Sequence, residues 1–180
     1  MEHNRDGQAR DQIAISWNSE RWVLLPYSGL YPSNQPVLSL MEIKIYYEDT
    51  DCGGVVYYAN YLKYFERART EYLEVRGYSV ADLMQQGTVF VVVHADVAYC
   101  SPARYGETLV VDTDIGDVTR AALTFSHVVR EKVSSRVVVR GSARLAATDG
   151  NGKVRRLDRV MVAALQSAPH AEERSTDRTE

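Results

Sequence analysis

The segment from Tyr47 to Tyr61 holds the side chains best suited to chemistry in this sequence. Asp49 and Asp51 stand two positions apart, ahead of Gly53 and Gly54 and of a helix expected to begin near Asn60. Glycines let a ligand approach the backbone closely. A helix start offers N–H groups without intrahelical partners and the positive end of a dipole. A carboxylate beside such an end can attack a carbonyl, or activate water to attack it, while the N–H groups polarise the carbonyl oxygen. The pattern fits an acyl-transfer site. It also fits an acidic turn followed by a helix cap, and the residue types alone leave both readings open.

Other reactive residues are placed less suggestively. Cys52 adjoins Asp51, but no histidine lies near it in sequence to activate a thiol. Cys52 and Cys100 form no CxxC pair, which argues against a disulfide framework or a zinc site and suits a reducing compartment. A single disulfide stays open. His94 and His127 fall inside expected strands and read as structural. Glu66 either borders the site or pairs with Arg67 or Arg69 on the helix surface. Arg136, Arg140 and Arg144 recur along one strand face, which suits phosphate contact and equally a solvated surface. No metal ligand set and no cofactor is implied.

These residues need a scaffold, and hydrophobic periodicity supplies one. Ile43 and Ile45 mark a short strand over 41–47. Asn60 is expected to cap a helix along which Tyr61, Leu62, Phe65, Ala68, Tyr72 and Leu73 recur at helical spacing, ended by Gly77. Ser79 to Asp82 resembles a capping box and opens a second, short helix closed by Gly87. Four strands follow, near 88–99, 107–118, 120–132 and 135–148. Alternation is clearest where Val137, Val139, Gly141, Ala143 and Leu145 oppose the three arginines, and where Leu109, Val111 and Ile115 oppose Asp112 and Asp114. Residues 157–165 fit a final strand or a short helix. One face of such an antiparallel sheet must be covered, and one long apolar helix is available to cover it. The expectation is an α+β hotdog fold, a five-stranded antiparallel sheet wrapped around a long central helix.

Three stretches differ in character. Residues 1–40 are polar, carry Pro26, Pro32 and Pro36, and read as an irregular extension. Residues 166–180 read as a solvated, disordered tail. Residues 41–165 read as the folded domain; they hold 16 acidic and 16 basic side chains, so the net charge of −3 resides in the two ends. That balance leaves no basic footprint for nucleic acid. The longest apolar run, Val89 to Val93, is far short of the ~20 residues of a membrane-spanning helix. The opening Met1 to Asp6 has no apolar signal core, so a cytoplasmic location is expected.

The string from Tyr47 to Tyr61 resembles the signature of the 4-hydroxybenzoyl-CoA thioesterase family, and more closely its Tol-Pal-associated acyl-CoA thioesterase branch. The resemblance continues through Leu62 to Glu71 and returns at Ser101 to Leu109, the family's turn between strands. It implies hydrolysis of an acyl-CoA thioester, without cofactor, by a homo-oligomer (dimer or tetramer) whose strands meet edge to edge and whose sites lie between subunits.

The family's catalytic aspartate matches Asp51, acting as nucleophile or general base. The position of its carbonyl-polarising backbone N–H matches Tyr58. The Tol-Pal branch usually carries a histidine there, and a tyrosine, with a reference pKa of about 10, is no base at neutral pH. The resemblance therefore implies a backbone role for Tyr58, with its ring lining the acyl pocket. Tyr47 matches a tyrosine neighbouring the aspartate, and Gly54, Val55, Asn60 and Tyr61 are the expected substrate-binding positions. Asp49 reads as a loop-ordering acceptor. Two rivals remain: a hotdog dehydratase, which would need a histidine that the loop lacks, and a catalytically weak hotdog scaffold protein.

Overall fold

The computed structural model describes residues 13–18, 21–26 and 40–167. Residues 1–37 and 38–180 form two units. In the first, β1 (Ile13–Asn18) pairs antiparallel with β2 (Arg21–Pro26), with Trp17 opposite Trp22. The stretch read as irregular therefore contains a paired ribbon. The tail from 168 onward lies outside the described residues.

The second unit runs β3 (Leu40–Lys44), a 3-10 turn (Tyr47–Asp49), α1 (Asn60–Glu74), α2 (Val80–Gln85), β4 (Val89–Tyr99), β5 (Thr108–Val118), β6 (Ala122–Glu131), β7 (Val137–Thr148) and α3 (Arg159–Gln166). The five strands form one antiparallel sheet in the order β3-β5-β6-β7-β4. The segment 157–165, open between strand and helix in the sequence, folds as the helix α3. Its N-cap is Asp158, whose carboxylate accepts from the N–H groups of Val160 and Met161.

The apolar face of α1 explains the architecture. Tyr61, Tyr64, Phe65, Ala68, Tyr72 and Leu73 are all buried against the sheet. Phe65 stacks on His127 of β6 at 4.4 Å, and Tyr72 meets Phe125 edge-on at 5.6 Å. Burying each of the larger side chains contributes about 1.5–3 kcal/mol. The helix comes so close to β7 that a Cβ at Gly141 would lie 2.5 Å from Phe65 Cε2. On β5, Leu109, Val111 and Ile115 are buried as the alternation predicts, with Asp112 and Asp114 half-buried.

Two features depart from the sequence reading. Ala59, already in helical conformation, is the N-cap of α1, and Asn60 is the first helical residue. The Asn60 side chain turns back instead, donating from Nδ2 to the Asp49 carbonyl at 2.9 Å. The strand β4 pairs only with β7, so it is a sheet edge, and most of its length is exposed. Among the described residues no helix is long and apolar enough to cross a membrane.

Candidate active site

The loop between β3 and α1 is held by its own backbone. The Asp51 N–H donates to the Val55 carbonyl at 2.9 Å, and the Gly54 N–H returns to the Asp51 carbonyl at 3.0 Å. That tight return needs Gly54 at φ 69°, a left-handed conformation that costs other residues roughly 1–2 kcal/mol. The Asp51 carboxylate is then fixed by the Gly53 N–H, which donates to Oδ1 at 2.8 Å. It remains exposed to solvent. Space around the missing Cβ of Gly54 is open to at least 4 Å.

Asp49 organises this loop, as expected of it. Its Oδ2 accepts from the Tyr46 N–H and its Oδ1 from the Tyr64 hydroxyl, each at 2.9 Å. Its carbonyl accepts from the Tyr57 N–H at 2.8 Å as well as from Asn60. Asp49 thus joins the 3-10 turn, the glycine loop and the first turn of α1.

A second brace comes from the turn between β4 and β5. The Val56 N–H donates to the Ala103 carbonyl at 2.8 Å, and Val55 bridges to Arg104. Arg136 secures that turn: Nη2 donates to both Glu107 oxygens at 3.0 and 3.1 Å, and Nη1 to Ser101 Oγ at 2.8 Å and to the Pro102 carbonyl. Arg136 is therefore a clamp on the loop that backs the site. Arg140 and Arg144 face solvent.

The start of α1 presents donors beside the loop. The Asn60 N–H donates to the Tyr57 carbonyl at 2.9 Å, making a turn whose central residues are Tyr58 and Ala59. Among the described residues, the N–H groups of Tyr58 and Ala59 donate to no other group. A tyrosine cluster surrounds them. The rings of Tyr57 and Tyr58 lie 4.6 Å apart, Tyr58 and Tyr99 6.5 Å, and Tyr61 and Tyr99 5.9 Å. A hydrogen bond with Tyr58, more than the Asp51 charge, holds the Tyr57 hydroxyl above its ordinary pKa. Burial, ahead of the nearby Glu107 charge, pushes Tyr61 up to about 12.

The structure brings Asp51, Gly54, Val55 and Tyr58 together on one loop and helix start. Asn60 and Tyr61 are buried supports beneath it. Tyr47 is 83% exposed and makes no side-chain hydrogen bond among the described residues. Tyr99, from the end of β4, is a member of the cluster that sequence reasoning missed, because nothing in its local pattern marks it. Cys52 and Cys100 are free and exposed. His127 is a core residue. The cavities on this unit include one of about 510 Å³ between α2 and residues 155–161, and one of about 230 Å³ between α1, α2 and β4. Asp51 lines neither.

A family model described as the thioesterase superfamily matches residues 53–137, beginning two positions after Asp51. The acyl-CoA thioesterase YbgC of Haemophilus influenzae is 43% identical over 86 residues, covering 47% of this chain and 63% of the relative. The chain thus spans less than two thirds of that relative's length. A protein of Aquifex aeolicus is 30% identical over 86 residues, covering 48% of this chain and 67% of its own. Among solved structures, the DHNA-CoA thioesterase of Staphylococcus aureus superposes with a TM-score of 0.68 at 29% identity, over 72% of this chain and 89% of that one. With its five-stranded antiparallel sheet around α1, the chain belongs to the thioesterase superfamily and has the hotdog fold.

Proposed function

We propose that residues 41–165 form a hotdog domain that hydrolyses an acyl-CoA thioester to the free acid and CoA. The observation that carries this reading is the exposed Asp51 carboxylate, pinned by Gly53 on the loop that leads into the start of α1, where among the described residues the N–H groups of Tyr58 and Ala59 have no partner. The likeness to YbgC supports the choice of an acyl-CoA.

The thioester carbonyl oxygen sits against the start of α1, where N–H groups stabilise the negative charge that develops on it. In one route, an Asp51 oxygen adds to the carbonyl carbon, the C–S bond breaks, and CoA leaves as thiolate. Water then hydrolyses the resulting anhydride, returning the carboxylate and releasing the acid. In the other, Asp51 takes a proton from water as its oxygen adds, and the departing thiolate is protonated. Both routes consume one water per thioester, and both require the same carboxylate.

Exposed Val91, Val92 and Val93 on the β4 edge support pairing with a second copy, which would cover that edge. An exposed Asp51 that lines neither of those two cavities fits a site completed by that copy.

The test is to offer purified protein a panel of short, long and aromatic acyl-CoAs while following free thiol. Turnover should fall at least ~100-fold in Asp51→Asn, as loss of a nucleophile or base requires. Unchanged turnover in that variant would sink the assignment, and no turnover on any thioester would favour a binding protein.

A further inference from the structure

We propose that Tyr99 is a positioning residue for a second carbonyl-polarising donor, the Ala59 N–H; this rests on the thioesterase reading above. The Tyr99 hydroxyl donates to the Tyr58 carbonyl at 3.2 Å, across 41 positions of sequence. That carbonyl and the Ala59 N–H belong to one planar, trans peptide unit and point in opposite directions. Fixing the carbonyl therefore fixes the direction of the N–H. The bond also draws electron density toward the carbonyl oxygen, which strengthens the N–H as a donor.

The neighbouring peptide is held in the same manner. Its carbonyl, that of Tyr57, accepts from the Asn60 N–H at 2.9 Å, and its N–H is that of Tyr58. Two consecutive N–H groups, without partners among the described residues, thus each have their own carbonyl anchored from behind. One anchor is local to the helix turn. The other comes from the end of β4, at the edge of the sheet.

The Tyr99 ring adds a lateral constraint. It meets Tyr58 at 87° and Tyr61 at 63°, so it braces both sides of the turn. The 3.2 Å separation is long for a hydroxyl bond, and catalytic hydrogen bonds commonly tighten once substrate is bound.

Tyr99→Phe tests this, because it removes one oxygen and keeps the ring contacts. The substrate is whichever of butyryl-CoA and benzoyl-CoA the wild type turns over faster. The expected result is a fall in kcat of about three- to tenfold, the scale of one neutral hydrogen bond, with KM within about twofold. The melting temperature should stay that of the wild type. Tyr105→Phe, at an exposed tyrosine outside the cluster, should leave kcat unchanged. An unchanged kcat in Tyr99→Phe overturns the proposal, as does a rise in KM alone, which marks a wall residue. A fall in kcat that follows a fall in melting temperature also overturns it. If the wild type turns over no thioester, the functional reading fails and the proposal fails with it.

Discussion

Lowering the pH from 7 to 5 should cost this fold about 2 kcal/mol through His127 alone. The ring is 1% exposed, lies flat on Phe65 at 4.4 Å, and holds Nδ1 3.0 Å from Thr113 Oγ1. Among the described residues its buried Nε2 has no hydrogen-bond partner. Charging the imidazole there would place a cation in the core, so burial, with a smaller contribution from the Arg69 charge, lowers its pKa to about 3. In the unfolded chain the value is about 6.5. The folded value is the lower one, so the stabilisation is complete above the unfolded pKa and is lost as pH falls from about 6.5 toward 3. At pH 5 the unfolded chain has gained roughly 1.5 pKa units of protonation free energy that the folded chain has not, and at about 1.36 kcal/mol per unit this is ~2 kcal/mol. Urea unfolding of wild type and His127→Gln at pH 7, 6 and 5, at one protein concentration, isolates the effect because the carboxylates are common to both. The wild type should lose about 2 kcal/mol more than the variant between pH 7 and 5. Parallel stability curves would refute the argument.

Two further substitutions test the supports of the site. Gly141→Ala should destabilise by about 2–3 kcal/mol in thermal or urea melts, since overpacking against a fixed backbone has no cheap relief. Its Cβ would meet Asp96 O at 2.7 Å as well as Phe65. Arg136→Ala should cost about 2 kcal/mol, the scale of hydrogen bonds to a charged group, and should speed amide exchange in residues 101–107. An exchange rate unchanged there would show that Glu107 and Arg136 do not order the turn.

Much of the sheet was legible because one of its faces packs on α1 and the other does not. That asymmetry writes itself into β5 and β7 as alternation. β4 carries no such record: an edge strand mostly away from α1 has no buried face to mark. The misplacement of Asn60 has a different cause. A residue with a short amide suits a cap by type, but its side chain bonds a carbonyl 11 positions back, and propensity carries no information about that partner. Asp49, Asp51 and the two glycines could be picked out as a group because their local geometry is set within the loop, while the choice of Asp51 among them rested on the family resemblance. The roles of Tyr99 and Arg136 could not be read, because their partners lie 41 and 29 or more positions away and only the folded sheet brings them together.

Tyr58 is where the chain leaves the histidine that the Tol-Pal branch usually carries, and the geometry bears on what that change costs. A backbone N–H is present whatever the side chain, proline excepted. A site that polarises its carbonyl with the peptides of Tyr58 and Ala59 therefore tolerates tyrosine, whereas a site that needs a side-chain base at that position does not. The Tyr58 ring instead packs on Tyr57 and Tyr99. In the proposed mechanism attack or water activation falls to Asp51. The same rings that replace the histidine also brace the turn that carries the N–H donors. On this view the substitution moves the work at position 58 from a side chain to the backbone, and the clamp from Tyr99 is what makes the backbone sufficient.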